Sequence, residues 1–148
     1  MCAEKSRKII YLADDDEDDR QLFLDAVEEL GAAVSVEAAA DGKELLNNLN
    51  KPMKTLPEMI FLDINMPGKN GFECLKEIRS EEKAFKDVKI IMFSTSSSMS
   101  NIELSYNLGA DLYAVKPSTF QGLKNLLSEI MDADWNLLIK NKKSFLPA

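Results

Sequence analysis

The feature that most constrains this chain is an alternation repeated five times: a short apolar run, then apolar residues at helical spacing. The first run, Ile9-Ile10-Tyr11-Leu12-Ala13, carries no polar residue and suits a strand buried on both faces. Further strands are predicted at Val34–Ala39, Met59–Leu62, Val88–Phe93 and Leu112–Val115. Between them, Leu22, Phe23, Ala26, Val27 and Leu30 recur at helical spacing and stop at Gly31. Asp41-Gly42-Lys43-Glu44 is a capping-box start for a helix carrying Leu45, Leu46 and Leu49. Phe72, Leu75 and Ile78 mark a third helix. Ser100-Asn101-Ile102-Glu103 caps a fourth that Gly109 closes, and Ser118-Thr119-Phe120-Gln121 opens the last. Its seam is Leu123, Leu126, Leu127, Ile130, Met131 and Trp135. Lys51–Pro57 is a loop and Arg79–Asp87 a charged connection. Strands that alternate with helices imply a parallel sheet covered on both faces, and right-handed crossovers make it a doubly wound α/β fold.

Length and composition remove several alternatives. With 148 residues the chain suits one domain. Five residues is its longest apolar run, against the twenty or so of a membrane helix, and no apolar secretory segment follows Met1. The expected location is the cytoplasm, with no membrane partner. There is no histidine, so His-based triads and His-ligated zinc are impossible. Cys2 and Cys74 are the only cysteines, too few for a disulfide framework or a four-thiolate metal site. A net charge of −7 argues against nucleic acid as a partner.

The polar residues that end the strands carry the chemistry. Asp14-Asp15 follows the first strand, Asp63 the third, Ser94-Thr95 the fourth and Lys116-Pro117 the fifth. In a parallel sheet all reach the carboxyl edge, where such folds bind ligands. If the spatial order is 2-1-3-4-5, the first and third strands are neighbours and three carboxylates share one crevice. Two like charges about 5 Å apart repel by roughly 3 kcal/mol at an effective dielectric near 20. Such a cluster binds a cation, holds a proton or lacks order. An all-oxygen site with few protein ligands suits Mg²⁺.

These motifs resemble the receiver domain of two-component response regulators. The resemblance rests on Leu12-Ala13-Asp14-Asp15-Asp16, on Leu62-Asp63-Ile64-Asn65-Met66-Pro67 with Gly71, on the Ser94 hydroxyl and on Val115-Lys116-Pro117. It spans about Lys8 to Trp135. It implies a flavodoxin-like (βα)5 sheet of five parallel strands in the order 2-1-3-4-5, with a receiver domain over residues 1–138 and a tail over 139–148. With no effector segment in the chain, it resembles stand-alone receivers. The Ser94–Ser98 run, the loop before Glu58 and Trp135 look most like the small regulators paired with bacterial phytochromes.

Roles follow from the resemblance, position by position. Asp63 would take a phosphoryl group from the phosphohistidine of a histidine kinase or histidine phosphotransfer protein. Asp15 and Asp63 would bind Mg²⁺ directly, with the Asn65 carbonyl as a third ligand and Asp14 acting through water. Lys116 would pair with the phosphoryl oxygens and Ser94 would bond another. The protein would then be no enzyme in the ordinary sense, but a phosphoacceptor that catalyses its own phosphoryl transfer and slow dephosphorylation. Ser94 would be drawn inward and Tyr113 would follow, repacking the face of the fourth helix, fifth strand and fifth helix, which would meet a downstream protein or a second copy as a homodimer. Thr95 stands where the family usually has a very small residue, Ser118 where an aromatic is common, and the Lys116–Pro117 bond is often cis in the family.

Plainer readings stand beside these. Asp14–Asp19 is also what a solvated acidic helix start looks like, and Glu17, Asp18 and Asp19 are read that way. Asp16 is read as a helix cap, Ser94 could cap its strand, and Tyr113 is equally well strand packing. Met92 and Met131 are core filler, and the Lys140–Lys143 stretch a frayed tail. A dehalogenase-type phosphatase needs an acid two positions after the nucleophile, where Asn65 stands. A flavodoxin needs a Ser/Thr/Gly phosphate loop after its first strand, where Asp14–Asp19 would repel phosphate. A phosphorylation-independent interaction module on the same fold is the third rival.

Overall fold

The computed structural model describes residues 8–31, 33–51, 56–80, 85 and 87–132. Trp135, Cys2, the 139–148 tail and parts of both long connections lie outside them. Five strands alternate with five helices: β1 (Lys8–Ala13), α1 (Glu17–Leu30), β2 (Val34–Ala39), α2 (Gly42–Leu49), β3 (Met59–Leu62), α3 (Gly71–Ser80), β4 (Lys89–Ser94), α4 (Met99–Asn107), β5 (Leu112–Val115) and α5 (Phe120–Met131). The strands form one sheet in the order β2-β1-β3-β4-β5, and every neighbouring pair is parallel. The fold is therefore the doubly wound parallel sheet that the strand pattern implied, in the flavodoxin-like order that the family resemblance implied. No described helix is long and apolar enough to cross a membrane.

Alternation along the strands builds two cores. Tyr11, Ala13, Ile60, Leu62, Ile90, Met92 and Tyr113 face one side, against Leu45, Leu49, Leu75 and Ile78 of α2 and α3. Ile10, Leu12, Phe61, Ile91, Phe93 and Leu112 face the other, against Phe23 and Val27 of α1 and Leu123 and Leu127 of α5. Phe23, Phe61 and Phe93 meet edge to face, with ring centroids 5.0–6.1 Å apart. That arrangement adds to the burial of each ring.

Two helix starts differ from the sequence expectation. α4 begins at Met99, capped by Ser98, whose hydroxyl accepts the Asn101 N–H, and not by Ser100. α5 is capped by Thr119, whose hydroxyl accepts the Gly122 N–H, and not by Ser118. Leu22, read as part of the α1 seam, is exposed; Phe23, Ala26 and Val27 are buried, and Leu30 packs partly buried against the same core. α1 does end as expected, at Gly31 with φ 67°, a left-handed cap that favours glycine.

Candidate functional site

The register of the sheet assembles the site. Ala13 pairs with Leu62 across β1 and β3, so the next residues, Asp14 and Asp63, emerge side by side. The ladder runs one bond further, from the Asp63 N–H to the Ala13 carbonyl at 3.0 Å. Ser94 pairs with Val115 across β4 and β5, and the Lys116 N–H donates to the Ser94 carbonyl at 2.8 Å. Asp14, Asp63 and Ser94 are buried, while Asp15 and Asn65 are exposed at the rim.

Carboxylate oxygens of Asp14, Asp15 and Asp63 lie within 4.8 Å of one another. The Lys116 ammonium reaches into this group: it is 2.8 Å from Asp14 Oδ2, 3.1 Å from Asp19 Oδ2 and 3.5 Å from Asp63 Oδ2. It also sits 5.5 Å over the Phe93 ring, so the aromatic trio floors the site. Asp14 is further fixed by the Asp16 N–H on its other oxygen, and its carbonyl by the Arg20 guanidinium at 2.7 Å. Asp16 is itself the α1 cap, accepting the Asp18 and Asp19 N–H groups.

The electrostatics follow from this crowding. Burial pushes the Asp63 carboxyl up, Lys116 pulls it down, Asp14 and Asp15 add to the rise, and the Asn65 N–H opposes it; the net position is about 6. Burial works against the charge on Lys116, but Asp14, Asp63 and Asp19 outweigh it and hold the ammonium above its ordinary range. Lys116 is thus a fixed cation, and Asp63 the carboxylate whose charge is most opposed. The donor set fits a small hard cation: three carboxylates, two of them buried, and no nitrogen or sulfur ligand among them.

Ser94, at the end of β4, and Tyr113, within β5, both bond the Ser-rich loop that follows β4. The Ser94 Oγ accepts the Ser96 N–H at 3.1 Å, which leaves its own O–H to donate. Asn101 bonds the Ser96 hydroxyl and so ties α4 to the same loop. Tyr113 is fully buried, and its hydroxyl donates to the Ser96 carbonyl at 2.7 Å. Its ring therefore already occupies the interior in this structure, where the expectation had it moving in. Thr95 and Ser118 are exposed at the mouth, and the Lys116–Pro117 peptide is trans. Cys74 is buried, and burial pushes its thiol up to about 11, so it is a packing residue beside α2.

Sequence reasoning missed Asp19, which it left in solvent. Asp19 stands in the first turn of α1, three residues after the Asp16 cap, and its carboxylate reaches Lys116 at the strand end.

Comparison with known proteins places this geometry. A family model described as the response regulator receiver domain matches residues 10–128. The chain belongs to that family. It is 30% identical over 133 residues to the probable methanogenesis regulatory protein FilR2 of Methanothrix harundinacea, covering 86% of this chain and 85% of that one. The phosphorylated cyanobacterial phytochrome response regulator RcpA superposes with a TM-score of 0.78 at 28% identity, over 86% of this chain and 93% of its own. The Thermotoga maritima response regulator TrrA, solved with Mg²⁺-BeF, gives a TM-score of 0.65 at 32% identity, over 83% and 98%.

Proposed function

We propose that the protein is a single-domain response regulator that accepts a phosphoryl group on Asp63. The observation that carries this is the meeting of one buried carboxylate with two further acids and a buried ammonium at a strand edge. A carboxylate there is held for in-line attack on a phosphorus. Its oxygen forms the new P–O bond while the P–N bond of a donor phosphohistidine breaks, and the imidazole keeps the electron pair. The chain has no histidine, so a phosphohistidine donor lies on another protein, which we take to be a histidine kinase or a histidine phosphotransfer protein. Hydrolysis by water returns the carboxylate and phosphate.

Mg²⁺ is the cation proposed for the acids, as in the TrrA complex. Asp15 and Asp63 would hold it directly, the Asn65 carbonyl would complete the protein ligands, and Asp14 would act through water. When bound it supplies charge neutralisation for the phosphoryl oxygens. Lys116 supplies the second positive charge, and the free O–H of Ser94 donates to a remaining oxygen.

The output is a shift in the face made by α4, β5 and α5. The phosphoryl group adds nearly two negative charges. A pull on Ser94 is transmitted to Ser96, which both Tyr113 and Asn101 grip. Leu104 on α4 and Val115 on β5 are exposed there, which suits a downstream protein partner or a second copy. We assign residues 1–138 to the receiver unit and the cytoplasm as its place.

Acetyl phosphate with Mg²⁺ is expected to add about 80 Da to the protein. Asp63→Asn is expected to abolish the adduct. Equal labelling of that variant would remove Asp63 from its role.

A further inference from the structure

We infer that Asp19 is a positioning residue that holds Lys116 back from Asp63 and so slows phosphoryl transfer; this rests on the function proposed above. An ammonium has three N–H donors. Here three carboxylates surround Lys116, at 2.8 Å from Asp14, 3.1 Å from Asp19 and 3.5 Å from Asp63. The two nearest both belong to the β1–α1 segment. The longest contact is the one to the proposed nucleophile.

Asp14 and Asp63 belong to the acidic cluster, but Asp19 does not. It sits in the first turn of α1, where its own N–H bonds the Asp16 cap. Its backbone is thus fixed by the helix start, and its carboxylate faces the lysine from outside the cluster. A phosphoryl group arriving at Asp63 needs the Lys116 ammonium on its own oxygens. Asp19 competes for that ammonium and cancels part of its charge. Asp19 is half-exposed, so the competition is graded and not absolute.

The decisive comparison is with Asp18, an exposed acid one position earlier in the same turn, with no ion pair to Lys116 among the described contacts. Asp18→Asn removes the same formal charge without touching the lysine. Labelling by subsaturating acetyl phosphate with Mg²⁺, followed by intact mass, is expected to be about twofold to fivefold faster in Asp19→Asn than in wild type. Asp18→Asn is expected to change it far less, and Asp19→Glu to restore the wild-type rate. Against a Lys116→Gln background, Asp19→Asn is expected to have no effect, because its action passes through the ammonium. A rate for Asp19→Asn that is unchanged or lower would overturn the inference. So would an equal gain in Asp18→Asn, or a gain that survives in the Lys116→Gln background. Failure of wild type to label at all would instead strike the proposed function, so the two failures are distinguishable.

Discussion

A single missing side chain leaves room for the backbone that carries Asp63. Gly71 opens α3, and its N–H donates to the Ile64 carbonyl at 3.0 Å. A Cβ placed there would stand 2.9 Å from Ile64 Cα and closer still to the Asp63 carbonyl oxygen. Both neighbours are backbone, so neither can rotate away. Gly71→Ala would gain up to about 1 kcal/mol of helix propensity. Overpacking against rigid atoms costs about 1–3 kcal/mol and sits at the higher end here. The expected result is a net loss of about 1–2 kcal/mol in urea unfolding, with slower labelling because the backbone that aims Asp63 is displaced. A Gly71→Ala protein as stable as wild type would show that the loop yields freely. The sequence marked Gly71 only as part of a motif. Its steric reason lies in a contact between β3 and α3 that no local pattern contains.

At the scale of elements, strands were more legible than helix starts. β2, β3 and β5 have the predicted bounds; β3 and β5 are almost wholly buried, whereas β2, an edge strand that carries Ser35 and Glu37, is mostly half-buried or exposed. Helix caps were less legible where hydroxyls crowd. Ser94, Ser96, Ser97, Ser98 and Ser100 all carry the right group, and only the backbone path selects Ser98. The reciprocal pair of Asn70 and Glu73 at the start of α3, at 2.9 Å each way, is a capping box that the sequence reading did not name. The acids and the lysine of the site were legible because each directly follows an apolar strand. Asp19 was not, because a run of six acids gives no sign of which one turns inward.

Elements are also joined by one side chain at the edge remote from the site. Arg79 of α3 donates to the carbonyls of Gly109, Phe85 and Val88 at 2.9–3.2 Å and to Asp111 at 2.7 Å. Asp111 in turn accepts the Ile90 N–H, so α3, β4 and the turn before β5 share one joint. Arg79→Met keeps the apolar stem but leaves those carbonyls without their donor. A loss of about 2–3 kcal/mol is expected in urea unfolding. Arg79→Lys is expected to recover less than half, since an ammonium cannot reproduce the planar fork. The labelling rate of the folded fraction should stay near wild type, because the joint lies at the opposite end of the strands. Full recovery by lysine would show that charge alone, and not the fork, makes the joint.

The whole molecule carries a net charge of −7, and its fold draws three of the acids to one edge. Folding therefore opposes the ionisation of Asp63, whose carboxyl rises from 3.8 to about 6. A group raised in the folded state lends its full stability below its unfolded value and loses it as pH climbs through the folded one. For Asp63 that window runs from about 4 to about 6. In EDTA, the wild-type protein should thus lose stability relative to Asp63→Asn as pH rises from 4 to 7. The other carboxylates titrate in both proteins, so the difference between their slopes isolates Asp63. Magnesium at a hundred times its Kd should add about 2.7 kcal/mol to wild type at pH 7. That gain should fade below pH 6 as protons compete for Asp63, and at pH 7 it should be much smaller in Asp63→Asn. Thermal unfolding of both proteins across this range, with and without the metal, measures all three effects. Parallel pH slopes in EDTA would mean that Asp63 ionises as freely in the folded chain as in the unfolded one, and that Lys116 alone has already neutralised the cluster.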